Sequence, residues 1–270
     1  MSGTSHTTRR EFLKRASVAV AAPYVITTAA LGADDRPPAS ERIVMGGIGI
    51  GNMGSGDQGA FLGRGDVQYV AVSDVRKEAR DGAKGRADKH YKNSDCKTYN
   101  DFRELVARDD IDAVHVATPD HWHAIIVIDA CRSGKDVYCQ KPETLTLREG
   151  PLMIEAARRY SRVVSGGSQR VLGDYRKVVN PCWGGELGTI KSINVNLNPL
   201  PRPCNLPAVP VPSGLDWDRW LGPAPWAPYN PNRMSGSYNI NGSGWRSWSD
   251  YSGGGMTDWG AHHFGGPPSQ

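Results

Sequence analysis

The sequence predicts an α/β fold built on a doubly wound parallel sheet, and three observations carry that prediction. Apolar, strand-like runs alternate with helix signals from Ile43 to Ser165. The first run passes directly into a glycine-rich turn, Gly49-Ile50-Gly51-Asn52-Met53-Gly54. The chemically distinctive residues gather after the runs, at the carboxyl ends of strands where open parallel sheets bind ligands. Beyond Ser165 the pattern changes, so the chain divides into a leader over 1–33, a first domain over 34–165 and a partial second domain over 166–270.

Ile43 to Ile50 reads as the first strand. In the turn that follows, Gly49 permits the sharp bend, Gly51 lets backbone approach a pyrophosphate, and Gly54 lets the next helix pack closely. Asn52 and Met53 sit between them, where unpaired N–H groups and the positive end of a helix dipole suit phosphate oxygens. Val67 to Val72 is the second strand and leads to Asp74, twenty residues after Gly54. A carboxylate there accepts both ribose hydroxyls, which favours NAD; Arg76 and Lys77 beside it suit a 2′-phosphate, so NAD and NADP both stay open. Asn100 is placed to cap a short helix through Arg108, and Ile111 to Thr118 is the third strand, broken by Pro119. Asp120 stands at an N-cap position for a helix to about Arg132. Asp136 to Cys139 begins a further strand ending in Gln140-Lys141-Pro142, Thr146 and Glu149 form a capping box for a helix to Tyr160, and Val163 to Ser165 closes the series.

The formal net charge is +4, but Arg9, Arg10, Lys14 and Arg15 against Glu11 place +3 of it in residues 1–33, leaving +1 for the remainder. Nucleic-acid binding needs a basic face on the folded body, and this balance predicts none. Thr8-Arg9-Arg10-Glu11-Phe12-Leu13-Lys14 followed by an apolar run from Ala16 to Ala30 has the form of a twin-arginine signal. It predicts export of a folded protein to the periplasm by the twin-arginine machinery, with residues 34–40 as a polar linker. The five cysteines (Cys96, Cys131, Cys139, Cys182, Cys204) show no CxxC spacing and an odd count, which suits buried thiols better than a disulfide framework.

In the second half, Gln169-Arg170 precedes a short helix to about Asn180, ended by Pro181. Ile193, Val195 and Leu197 alternate with Asn194, Asn196 and Asn198, the pattern of a half-buried strand. Residues 199–212 are too rich in proline for regular structure. Six tryptophans (Trp217, Trp220, Trp226, Trp245, Trp248, Trp259) then interleave with polar residues and Arg246, a composition that suits sugar-stacking platforms or core packing equally. His121, His123, His262 and His263 lack Cys or acidic companions at zinc-like spacing, so no metal is expected. His115, inside a strand, is expected to be a satisfied core residue.

Taken in order, Gly49–Gly54, Asp74, Ala117-Thr118-Pro119 with His123, Lys141-Pro142, and Gly253-Gly254-Gly255-Met256-Thr257-Asp258-Trp259-Gly260-Ala261-His262 resemble the Gfo/Idh/MocA oxidoreductase family over about Ile43 to Phe264. The resemblance implies an N-terminal Rossmann domain followed by an α+β substrate domain with an open antiparallel sheet. It implies hydride transfer to or from a carbinol carbon of a sugar, inositol or related polyol. Lys141, Asp258 and His262 would be the catalytic set. Cofactor contacts would fall on Gly49, Gly51, Asn52, Met53, Gly54, Asp74, Arg76, Thr118, Pro119, His123 and Lys141. Substrate contacts would fall on Lys141, Gln169, Arg170, Arg246, Asp258 and His262. Chemically, an imidazole can take the alcohol proton, and a lysine can polarise the oxygen and stabilise developing alkoxide charge. Asp258, four residues before His262, would share its helix face and orient the ring or bind a hydroxyl.

Two departures from the family pattern stand out. Gln140 replaces the usual glutamate before Lys-Pro, which would change how Lys141 is held. After Phe264 the pattern gives way to Gly265-Gly266-Pro267-Pro268-Ser269-Gln270, which reads as an incomplete sheet domain. Three functions therefore stand at this level: a polyol dehydrogenase, an NAD-dependent glycosidase of the same fold, and a non-catalytic nucleotide-binding remnant. Homo-oligomers formed through the open sheet face are a family habit that this chain could share.

Overall fold

The computed structural model describes residues 37–168, 176–196, 200–236 and 244–263. The leader, Gln169, Arg170 and Leu197 lie outside them. Residues 37–42 contain a single 3-10 turn, Ala39–Glu41, and from Ile43 onward the chain forms one compact unit.

Six strands, β1 (Ile43–Ile48), β2 (Val67–Ser73), β3 (Lys97–Tyr99), β4 (Ala113–Val116), β5 (Asp136–Cys139) and β6 (Val164–Gly166), pair in the order β3-β2-β1-β4-β5-β6. Every pairing is parallel. This is the doubly wound sheet that the alternation predicts, and its order reverses between β1 and β4, the point where such sheets open a ligand crevice. Five helices make the crossovers: α1 (Asn52–Leu62), α2 (Lys77–Tyr91), α3 (Phe102–Val106), α4 (Asp120–Arg132) and α5 (Glu149–Arg159). Two buried clusters hold the layers. One gathers Ile48, Leu105, Val114, Ile126 and Val127; the other gathers Met45, Tyr69, Val72, Ala83 and Ala87. His115 belongs to this packing, its Nδ1 3.3 Å from the Tyr69 hydroxyl.

Local details differ from expectation. The strand β3 has three residues and α2 buries only Ala83 and Ala87, so neither prints a strong apolar period on the sequence. Asp101, not Asn100, caps α3 by accepting from the Arg103 amide. Asn100 turns away, accepting from Arg80 at 2.8 Å and donating to Asp216 at 2.7 Å. Half of the predicted capping box forms: Glu149 accepts from the amides of Leu145 and Thr146, at 2.7 and 3.0 Å. Asp120 is the first residue of α4 rather than its cap, which is Pro119.

After β6 come α6 (Arg176–Trp183), α7 (Trp217–Leu221), α8 (Pro231–Met234), α9 (Gly255–Asp258) and α10 (Gly260–His263). The helix α6 runs through Pro181 instead of stopping before it. The predicted strand at Ile193–Leu197 does not form over its described residues, where Ile193 and Val195 are exposed. A half-buried strand needs a neighbour for its ladder and a core for its apolar face, and the described residues supply neither. No strand follows β6 among the described residues. The tryptophan question is settled mainly for packing. Trp217 and Trp220 stack at 4.8 Å in a buried cluster with Trp245, Trp248 and Tyr251, whereas Trp226 is 77% exposed. This cluster rests on the start of α4, where the Trp122 indole donates to the Trp220 carbonyl at 3.0 Å. Among the described residues no helix is long and apolar enough to cross a membrane.

Candidate active site

The turn after β1 is shaped by sterics that admit only glycine. Gly49 has φ +80°, and a Cβ there would stand 2.7 Å from the Thr118 nitrogen. A Cβ on Gly54 would stand 2.0 Å from the Gly49 carbonyl oxygen, so the start of α1 packs flat on the turn. At Gly51 the surroundings open, with only an Arg76 guanidinium nitrogen at 3.6 Å. Asp74, at the end of β2, accepts from the Ile50 amide at 2.8 Å and the Arg76 amide at 2.9 Å. Each of its oxygens keeps a lone pair for a further donor. The Thr118 hydroxyl is buried without a hydrogen-bond partner.

These groups form one end of a cavity of about 540 Å³ whose wall includes Gly49, Gly51, Asn52, Met53, Asp74, Arg76, Thr118 and Pro119. An open backbone cradle at a helix N-terminus, a ribose-height carboxylate and an orphaned hydroxyl fit a nicotinamide dinucleotide. The sequence-predicted cofactor residues are therefore brought together at the wall, apart from Gly54, which packs beneath the turn, and His123. His123 does not line the cavity; its ring is buried with Nδ1 2.7 Å from the Pro142 carbonyl and Nε2 2.8 Å from that of Thr118. It bridges the loops that follow β4 and β5, and burial pushes its pKa down to about 4.

Asp120, Gln140, Lys141 and Arg246 also line the cavity. Lys141 is buried and its Nζ donates to Asp258 Oδ1. Arg246 Nε approaches the second Asp258 oxygen at 3.4 Å, while its Nη1 donates to the Gly236 carbonyl at 2.7 Å and its Cζ lies 4.1 Å from the Trp245 ring centre. Asp258 thus reaches the cavity through two cations, each of which presents itself at the wall. Gln140 donates to the buried Asp57 of α1 at 2.8 Å. A glutamate at position 140 would face a carboxylate there; the amide supplies the matching donor. His262 is buried beside Trp259, ring centroids 6.0 Å apart, and is not among the residues lining the cavity. Asp258 and His262 lie on successive short helices, α9 and α10, rather than on one continuous helix. Gln169 and Arg170 fall outside the described residues.

Several wall residues carry no site signal in the sequence: Asn100, which reads only as a helix cap, Asp101, Phe102 and Arg103 after β3, and Arg219, which pairs with Asp101. The missed β3 explains the omission, because its carboxyl end delivers them. Asp120 was read only as a cap. It is buried, its carboxyl meets no cation or backbone amide at hydrogen-bonding distance, and burial pushes its pKa up to about 8. The Ser252 hydroxyl partly offsets that shift and Asp258 adds to it.

Comparison with known proteins agrees with this geometry. Residues 43–168 match the Gfo/Idh/MocA model described as an oxidoreductase family, NAD-binding Rossmann fold. Residues 202–267 match that family's C-terminal alpha/beta domain. A glycosyl hydrolase family 109 protein from Shewanella sp. (strain MR-4) is 33% identical over 174 residues, which cover 56% of this chain and 37% of that protein. An alpha-N-acetylgalactosaminidase from Shewanella oneidensis is 34% identical over 170 residues, with the same coverage of 56% and 37%. The chain therefore spans little more than a third of the length of these curated relatives. A crystal structure of an NAD-binding protein from Listeria innocua superposes with TM-score 0.54 at 22% identity, covering 82% of this chain and 52% of that one.

Proposed function

Because this chain belongs to the Gfo/Idh/MocA oxidoreductase family, we propose that it oxidises or reduces a carbinol carbon of a sugar, inositol or related polyol. One observation carries the reading: Lys141, buried and ion-paired with Asp258, stands on the wall of the cavity that the glycine cradle opens. Gly49 to Gly54, Asp74 and Thr118 would hold the dinucleotide, whose nicotinamide supplies the hydride acceptor or donor when bound. Lys141 then hydrogen-bonds the carbinol oxygen and stabilises its developing negative charge, held in position by Asp258. Arg246 is assigned a substrate hydroxyl, since its guanidinium is steadied by Gly236 and Trp245. His262, buried beside Trp259 behind the cavity wall, is assigned the alcohol proton on the family resemblance and not on contact with the cavity. Residues 34–165 are assigned the cofactor and 166–270 the substrate, and the Arg9-Arg10 leader supports export in the folded state.

The test is a panel of inositols, aldoses and polyols offered to NAD-loaded protein, followed by absorbance of the reduced nicotinamide. Reduction with at least one polyol supports the assignment; none, with bound cofactor verified by mass spectrometry, overturns it. The names of the Shewanella relatives favour a second reading, a glycosidase that oxidises its substrate only transiently. Release of free sugar from a glycoside without accumulation of reduced cofactor would select that reading.

A further inference from the structure

Asp120 is a carboxyl with an unusual station. It opens α4, beside the β4 end that supplies Thr118 and Pro119, and it borders the same cavity as Lys141 and Arg246. A helix N-terminus ordinarily favours an ionised carboxylate. Here the side chain is buried, and among the described residues no cation or backbone amide donates to either oxygen; the Ser252 hydroxyl faces it. The two cations that would satisfy it are turned to Asp258 instead, Lys141 through Nζ and Arg246 through Nε. An ionised Asp120 would be a second buried carboxylate facing a pair of cations already shared, and like charges at one site cannot both ionise cheaply.

We propose that Asp120 is a positioning residue for Lys141: its carboxyl stays protonated, so that Lys141, Arg246 and Asp258 keep one unbalanced positive charge for the oxyanion of the substrate. This deepens the oxidoreductase reading and rests on it. Ionisation of Asp120 removes that surplus, because two carboxylates then balance two cations. The groups facing it are Lys141 from the β5 end, Asp258 from α9, Arg246 and the Ser252 hydroxyl from the segment between α8 and α9, and the Cys139 thiol of β5. The Ser252 hydroxyl oxygen accepts from the Gly254 amide at 3.1 Å, which leaves its proton available toward Asp120. Burial outweighs these influences, with a pKa pushed up to about 8.

Infrared spectroscopy of the full chain, with Asp120→Asn as the reference, reads the proton directly and needs no turnover. A protonated-carboxyl stretch present at pH 6.5, absent in Asp120→Asn and fading in the unsubstituted protein as pH passes about 8, is the expected result. Absence of that band from the unsubstituted protein at pH 6.5 would overturn the proposal whatever the enzyme does. Ser252→Ala should push the fading to higher pH, and this variant keeps the test open if Asp120→Asn does not fold. Kinetics supply the second arm. In Asp120→Asn the alkaline fall of kcat should disappear, because the amide cannot ionise. An unchanged alkaline limb would show that Asp120 does not act through Lys141. Should no polyol be turned over by either protein, the oxidoreductase reading fails while the infrared result still decides the state of Asp120.

Discussion

At Gly49 the backbone turns with φ +80°, and the space where a side chain would begin is filled by Thr118 and Ala117. Left-handed strain of roughly 1–3 kcal/mol adds to that collision in Gly49→Ala. NAD affinity should fall at least about tenfold, since the cradle would have to move to accept even a methyl group. Isothermal titration with NAD checks it; an unchanged Kd would show that the turn does not hold the dinucleotide. Lys141→Met poses a different question. Removing one partner of a lone buried ion pair costs about 3–5 kcal/mol, and Arg246 at 3.4 Å from Asp258 softens the loss here. Turnover should drop on the order of 10²–10³-fold while NAD still binds, because the lysine stabilises charge that develops only as the carbinol reacts. Equal losses in NAD affinity and turnover would contradict the assigned role.

Among the elements, the junction of β5 with α1 is the most informative. Gln140, at the end of β5, donates to Asp57 of α1, and both side chains are buried. Gln140→Glu would set two carboxylates against each other, and at least one would have its folded-state pKa raised. A carboxyl raised in this way keeps its proton in the folded protein while the unfolded chain releases it above about pH 4.3, so stability is lost as pH rises through that window. The variant should match the unsubstituted protein near pH 4 and be roughly 1–3 kcal/mol less stable at pH 7. Urea denaturation at the two pH values tests this, and equal stabilities at pH 7 would mean that the amide is not needed opposite Asp57. The aromatic segment acts on the site at the same scale. The cluster of Trp217, Trp220 and Tyr251 sits against the start of α4 through the Trp220 carbonyl, and Trp245 of the same cluster steadies Arg246.

Across the whole molecule, the buried titratable groups set a pH of greatest stability. Burial pushes His115, His121 and His123 down to about 4 and Asp120 up to about 8. Between pH 4 and 6.5 the unfolded chain holds protons on three histidines that the folded protein refuses, while the folded protein keeps one on Asp120. Unfolding then takes up a net of about two protons, so stability falls as pH drops below about 6.5, by at most roughly 2.7 kcal/mol per unit. Above about pH 7 the unfolded histidines have lost most of their protons and the extra proton that folded Asp120 holds outweighs the remainder, so stability falls gently as pH rises toward 8. Denaturant midpoints at pH 5, 6.5 and 8 should be highest at 6.5. A monotonic rise to pH 8 would show that Asp120 is ionised in the folded protein.

Much of the first half was legible because its signals are local. Backbone sterics dictate glycine at Gly49 and Gly54, and the run from β1 into that turn is visible in eight consecutive residues, 47–54. Long apolar strands announce themselves by composition, whereas β3 has three residues and takes its place from pairing with β2, and α2 buries little but alanine. The catalytic candidates were legible as motifs but not as an arrangement. Lys141 meets Asp258 across 117 residues, and no local pattern says that Arg246 faces the same carboxylate. Polarity is likewise local and environment is not: Asp120 has the sequence signature of a helix cap, and only the packing of α4 against the later segment buries its carboxyl and withholds donors. The sequence alone determined the strand–helix alternation and the dinucleotide cradle, because short-range sterics and hydrogen bonding decide both. The tertiary structure decided which charges share a cavity, which tryptophans are core and which acid keeps its proton, because desolvation and ion pairing depend on neighbours far away in the chain.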